Sequence, residues 1–246
     1  MSTTILSSLR MNGFQLKCLA LILMIIDHIH QYIPYTPIAF NWIGRIVAPI
    51  FFYLMVEGFR KTSNRSKYIL RMWIAGVVMG MGSEAVMLLF PGGSTPIVNN
   101  IFISLGCGLL LLQSWEWAKS SKYAVWPPLL MLFAIVVGYL SEASYLGIAM
   151  TIIFYALRHK PAQMAYAYIF TMLLLTVGLN VIYLGFEMLS VHHLFYTHYQ
   201  WMMIGAVIPI LLYNGQRGYH AAWAKYMFYI AYPVHIWLLY LISRLS

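Results

Sequence analysis

From residue 16 to the C-terminus, apolar runs of about membrane-spanning length alternate with short polar tracts. The alternation predicts nine helical spans, at about residues 16–36, 39–60, 68–90, 99–117, 124–140, 145–158, 162–184, 200–213 and 225–244. The span at 145–158 is short and the one at 200–213 contains Pro209, so both are expected to be tilted, broken or partly re-entrant. No internal repeat or low-complexity linker interrupts the series. The predicted fold is therefore all-α: a polytopic transmembrane helical bundle forming a single integral-membrane domain over residues 1–246.

Composition agrees with the pattern, since 62% of the 246 residues are hydrophobic and 9% are charged. Soluble domains carry roughly a quarter charged residues. Arg10 and Lys17 precede an apolar run, as in a secretory signal, but Asp27 and His28 interrupt that run and no small-residue cleavage site follows. Cys18 and Cys107 both fall inside apolar segments and predict two buried thiols with no disulfide framework.

Charge adds an orientation. Short loops rich in Lys and Arg stay in the cytoplasm. Arg60, Lys61, Arg65, Lys67 and Arg71 crowd the second connection. Lys119 with Lys122, Arg158 with Lys160, and Arg217 with Lys225 mark alternate connections after it, whereas the intervening ones hold no Lys or Arg. The N-terminus is expected inside and the C-terminus outside, in a multi-pass protein of a bacterial plasma membrane. The net charge of +9 becomes a topological signal, and no nucleic-acid partner is implied. On the outer side, GFEMLSVHHLFYTHY at 185–199 is the one connection large enough to shape a binding surface.

Against this background the ionisable residues inside spans stand out, because such groups are costly in lipid and usually face the bundle interior. They are Lys17, Asp27, His28, His30, Arg45, Glu57, Glu84 and His235. Their depths imply a polar chamber formed from several helices. In the first span, Lys17 and His28 are separated by eleven residues, about three helical turns, so they share a face about 16 Å apart along the axis. That geometry suits an elongated ligand with an anionic end and a reactive end, such as an acyl-coenzyme A whose phosphates meet Lys17 while its thioester approaches His28.

Plainer readings stand beside this one. Lys17 also fits a side chain snorkelling to the interface, and a lone buried histidine is more often a satisfied core residue than a catalyst. Asp27 lies about one turn before His30, so those two are expected to pair. Neighbouring side chains diverge by about 100° around a helix, so His28 is expected to take its orienting partner from another helix, with Glu57, Glu84 or Arg45 as candidates. His28 and His30 project to nearly opposite sides, so they cannot grip one ion, and no metal site is expected. The spacing of His192, His193 and His198 is not diagnostic of zinc. A nucleophile elbow and a phosphate-binding glycine motif are both missing from the sequence.

Five blocks carry a resemblance: LKCLALILMIIDH at 16–28, IGRIVAPIFFYLMVEGF at 43–59, NNIFISLGCGLLLL at 99–112, YLGIAMTIIFYAL at 145–157 and LYNGQRGYHAAWAKYMFYIAYPVHIWLLYLI at 212–242. In these the chain resembles the TraX-like membrane proteins, a family named for the acetylation of F-pilin. One turn departs: at SEASYLG, where an Asp-Tyr-Gly type turn is expected, Glu142 lies three residues before Tyr145. The first block also resembles the wider acyltransferase 3 class, whose pattern of a basic residue, ten intervening residues and a histidine is matched by Lys17 and His28.

The resemblance implies acetyl transfer from cytoplasmic acetyl-CoA to an amine or hydroxyl acceptor at the extracytoplasmic face, whether a peptide, a glycan or a small metabolite. On that reading the chemical groups are His28, Arg45 and Asp27, with His28 as general base or, less directly, as the acetyl carrier. Lys17, Arg45 and Arg71 are expected to hold the coenzyme, and Glu84, Asn99, Asn100 and His235 to line the acceptor side. The alternative from another class is a small-molecule or proton-coupled transporter using Asp27, His28 and Glu84 as a relay, although paired halves with broken helices are not evident. A non-catalytic assembly factor is a third option.

Overall fold

The computed structural model describes residues 10–120, 125–219 and 221–245. Lys122 and the side chain of Lys225, both used to assign orientation, lie outside the described residues. All extended structure among the described residues is one isolated bridge, Met11 to Tyr213. The main helices among the described residues are α1 (Gly13–Tyr32), α2 (Ala39–Lys61), α3 (Arg65–Leu89), α4 (Ile101–Ser120), α5 (Trp126–Tyr139), α6 (Ser144–Ala156), α7 (Pro161–Leu184), α8 (Tyr199–Leu211) and α9 (Ala222–Ser243). Each coincides with a predicted segment.

Six of them are long and apolar enough to cross a membrane: α1, α2, α3, α4, α7 and the Tyr226–Ser243 stretch of α9. The other three are shorter. At 14 and 13 residues, α5 and α6 reach only about 20 Å against a hydrocarbon core of about 30 Å. The protein is thus an all-helical membrane protein, and α3 displays the expected inverted surface. Its buried positions are Met72, Gly76, Met79 and Ser83, while Leu70, Ile74, Val77, Met81 and Leu88 point outward. Exposed aliphatic side chains on that scale fit a lipid surface rather than water.

The chain forms two compact units. The first takes its described residues from Met1–Ile50, Gly93–Thr95 and Pro161–Ser246, the second from Phe51–Gly92 and Pro96–Lys160. In the second unit α4 is buried around most of its circumference from Ile101 to Ser114, including Phe102, Leu105, Leu109 and Leu112, and exposed beyond. Glycines permit its close packing: a Cβ at Gly108 would meet Met55 and Thr151 at 2.7 and 2.8 Å. Gln113 and Ser114 on this helix carry buried side-chain oxygens with no hydrogen-bond partner among the described residues.

The first unit is built around α1. A capping box starts it, with Asn12 Oδ1 accepting from the Gln15 N–H (3.0 Å) and Gln15 Oε1 accepting from the Asn12 N–H (2.9 Å). The N–H groups of Gly13 and Phe14 donate to the carbonyls of Gln216 and Arg217, at 2.8 and 3.1 Å. At the other end, Thr95 Oγ1 and Ser94 Oγ donate to the carbonyls of Gln31 and Tyr32, at 3.4 and 2.9 Å. Both ends of α1 therefore have their orphan backbone groups satisfied by distant chain.

Candidate functional site

The interior stripe of α1 is Leu16, Ala20, Met24, His28 and Tyr32, one residue per turn. His28 is 4% exposed and so belongs to a packed helix face. Its Nδ1 lies 2.7 Å from Nε2 of His235 on α9. His235 in turn places its Nδ1 2.7 Å from the carbonyl oxygen of Ala231, one turn earlier on the same helix. Tyr232, 1% exposed, stands edge-on to both imidazoles, with centroids at 6.2 Å from His28 and 5.9 Å from His235. The YPVH segment thus acquires a local account. Pro233 cannot donate to the carbonyl of Tyr229 and opens that turn of α9, while Tyr232 and His235 on either side of it close over His28.

One residue before His28, Asp27 makes an ion pair with Arg45, whose Nη2 lies 2.9 and 3.0 Å from the two carboxylate oxygens. Nη1 of Arg45 donates to Gln200 Oε1 (3.2 Å) and Nε to the carbonyl of Asn41 (3.2 Å). The guanidinium also lies 5.7 Å from the Tyr199 ring centroid. Its three nitrogens are already engaged, so it ties α1, α2 and α8 together. The GR...P pattern follows from this. Gly44 lets α2 approach so closely that any Cβ there would overlap the Asp27 carboxyl. Pro49 leaves the Arg45 carbonyl without a helical donor, and α2 is interrupted between Gly44 and Val47.

Irregular helix accompanies the site. The first eight residues of α8, Tyr199–Ala206, form a 3-10 helix, longer than the three or four residues usual for that geometry. They deliver Tyr199 and Gln200 to Arg45. Nearby, buried Tyr168 on α7 donates its hydroxyl to the Met203 carbonyl at 2.5 Å. A π turn over Leu174–Gly178 interrupts α7.

Sequence expectations fare unevenly here. The Asp27–His30 pair does not form: Asp27 pairs with Arg45, and His30 instead meets the Thr36 hydroxyl at 2.9 Å. The partner at Nδ1 of His28 comes from another helix and is His235, a residue outside the expected set of Glu57, Glu84 and Arg45. Glu57 pairs with Arg60 and Lys61 on its own helix, at 2.6 and 2.9 Å. Lys17 is exposed near the start of α1, and Met24 is buried between it and His28 on the same side.

Arg71, Glu84, Asn99 and Asn100 belong to the second unit. There Arg71 lies over the Tyr68 ring at 5.4 Å, and Glu84 is exposed. Asn100 donates from Nδ2 to the Gly76 carbonyl at 2.9 Å, and its backbone N–H is capped by Glu142. No group of three or more His, Cys, Asp or Glu side chains suited to a metal ion occurs among the described residues. His193 bonds to Ser190 at 2.7 Å, and His192 stacks on Tyr196 with rings 18° apart. Sequence reasoning did not find Gln200, Asn41 or Tyr199. Gly44 and Tyr232 stood within quoted motifs, where their neighbours carried a signal.

No solved structure matches the chain. A relative in Dichelobacter nodosus, the "Probable fimbrial assembly protein FimC, serogroup H1", is 25% identical over 242 residues, covering 93% of this chain and 94% of its own length. The family model described as "TraX protein" matches residues 12–243. That span contains both imidazoles, the Asp27–Arg45 pair and every helix from α1 to α9, and by it the chain belongs to the TraX family.

Proposed function

We propose that the protein is an acetyltransferase of a bacterial plasma membrane, moving an acetyl group from cytoplasmic acetyl-CoA to an amine or hydroxyl acceptor at the outer face, in the service of pilus or fimbrial assembly. The observation that carries the reading is the part-buried His28–His235 pair at 2.7 Å, polar groups that a mere membrane anchor has no use for. The name of the Dichelobacter relative supports the biological setting.

In this reading Nε2 of His28 takes the proton of the acceptor N–H or O–H as the acceptor's lone pair attacks the thioester carbonyl carbon. The C–S bond breaks, and the departing thiolate receives that proton from the His28 imidazolium. Acetyl-CoA and the acceptor become the acetylated acceptor and free coenzyme A. Lys17 meets the coenzyme's phosphates at the inner end of α1. The helix N-terminus beside it has its N–H groups occupied by Asn12, Gln216 and Arg217, so the lysine rather than the helix dipole supplies the anion contact. Arg45, with its nitrogens bonded to Asp27, Gln200 and Asn41, holds the carboxylate and the helices around His28 rather than a phosphate.

Purified protein in detergent, given acetyl-CoA and pilin-derived or small amine and hydroxyl acceptors, should release coenzyme A. His28→Ala should lower that release by about 10²–10⁴-fold. Failure to bind acetyl-CoA, together with no release with any acceptor, overturns the proposal. A non-catalytic role in assembly is the second reading, favoured by the relative's name alone; it requires His28→Ala to be silent in cells that assemble pili.

A further inference from the structure

The hydrogen bonds behind His28 have a single consistent direction. The carbonyl of Ala231 can only accept, so Nδ1 of His235 carries the hydrogen of that 2.7 Å bond. In a neutral imidazole the other nitrogen then bears a lone pair. Nε2 of His235 is therefore an acceptor, and Nδ1 of His28, 2.7 Å away, is the donor. With its hydrogen on Nδ1, a neutral His28 holds its lone pair on Nε2. One backbone carbonyl on α9 thus sets the protonation pattern of an imidazole on α1.

Ring geometry fits this chain. The two imidazoles lie 23° from coplanar with centroids 5.0 Å apart. Since each ring nitrogen sits roughly a bond length from its ring centre, a 2.7 Å N–N separation at that centroid distance means the rings meet edge to edge through their nitrogens. Both the N–H and the lone pair then lie in the ring planes, where a hydrogen bond is best aligned. Tyr232 stands edge-on to both rings.

We infer that His235 is a positioning residue that holds His28 in its Nδ1–H tautomer and so presents the Nε2 lone pair as the reactive nitrogen. The inference rests on the proposed acetyl transfer and deepens it: base and acetyl-carrier roles alike need that lone pair. A neutral imidazole takes the place that a carboxylate fills in a Ser-His-Asp triad, and the Ala231 carbonyl takes the place of the group behind it.

The test uses full-length protein labelled with ¹⁵N-histidine in nanodiscs, with the His28 signals identified by their loss in His28→Gln. Wild type should show Nδ1 protonated and Nε2 bare. His235→Phe removes the acceptor and should move the hydrogen on His28 toward Nε2, lowering coenzyme A release by at least about 10–100-fold, the range found for partners that orient metal-bound imidazoles. His235→Gln, whose amide oxygen accepts from His28 Nδ1, should restore the wild-type tautomer and most of the rate. A wild-type His28 protonated on Nε2, or an unchanged tautomer in His235→Phe, overturns the inference. The expected tautomers without any coenzyme A release from wild type uphold the positioning role and overturn the acetyl-transfer reading instead.

Discussion

Gly44→Ala tests whether the close approach of α1 and α2 creates the Asp27–Arg45 pair. An added Cβ overlaps the Cβ, Cγ and Oδ1 atoms of Asp27. Carbon atoms pack at about 3.5–4.0 Å, so the helices must part by on the order of 1 Å. Overpacking of this kind costs about 1–3 kcal/mol. The same movement stretches the 2.9 and 3.0 Å bonds between Arg45 and Asp27. Losing a hydrogen bond to a charged group costs about 1.5–3 kcal/mol. The pair is partly solvated, with side chains 26% and 15% exposed, which argues for the lower end. Alanine returns up to about 1 kcal/mol of helix propensity, leaving a net loss of about 2–4 kcal/mol.

At about 2–4 °C per kcal/mol for a chain of this size, the midpoint of thermal unfolding in detergent should fall by roughly 5–15 °C, read by tryptophan fluorescence. Gly80→Ala is the control, because the nearest atom to its added Cβ is Asn100 Nδ2 at 3.7 Å; its midpoint should stay level or rise slightly. The double variant Asp27→Gly with Gly44→Ala should melt no lower than Asp27→Gly alone, because the whole obstructing side chain, Cβ included, is gone. If Gly44→Ala melts with the wild type, or the two losses simply add, the account of the GR motif is wrong.

Tyr168→Phe should cost about 1–3 kcal/mol in the same assay by leaving the Met203 carbonyl without its hydroxyl donor; an unshifted midpoint means that carbonyl has another partner. Asn12→Ala removes the cap of α1, worth about 1 kcal/mol, and should speed hydrogen exchange in the first turn and leave α9 unaffected. Gly93→Ala places a Cβ in the Tyr240 ring, so the 93–95 segment should lift and exchange should quicken over residues 31–33. The proposed orientation predicts that, with Cys18 and Cys107 replaced by Ser, a cysteine at Asn64 is protected from a membrane-impermeant maleimide in intact cells and one at Ser190 is labelled; the reverse pattern inverts the topology.

Helix positions were legible because apolar runs of this length admit little else, and each predicted segment is helical. Span count was less so: α5, α6 and α8 are apolar but short, and hydropathy registers composition more readily than the distance a helix covers. Lys17, Asp27, His28, Arg45 and His235 could be singled out since ionisable groups in lipid are rare. Their pairing could not. Residues Asp27 and His30 are neighbours on a helix surface, yet the partner that Asp27 takes sits on α2, admitted by a glycine whose meaning appears only when the helices meet. Gln200 had no signal of its own: Pro209 marked its segment as irregular, but no local pattern announced the 3-10 turns that bring it to Arg45.

His28 and His235 are separated by 207 positions in sequence. At about 5–20 residues per second of synthesis, α1 waits about 10–40 s in the membrane before the helix that completes its hydrogen bond has been made. Through nearly all of that interval a buried imidazole and the N–H groups of Gly13 and Phe14, whose partners are the Gln216 and Arg217 carbonyls, must find interim partners. A chain stopped before α9 carries every residue of the first motif and none of the assembled pair, so the paired imidazoles are a property of finished molecules alone.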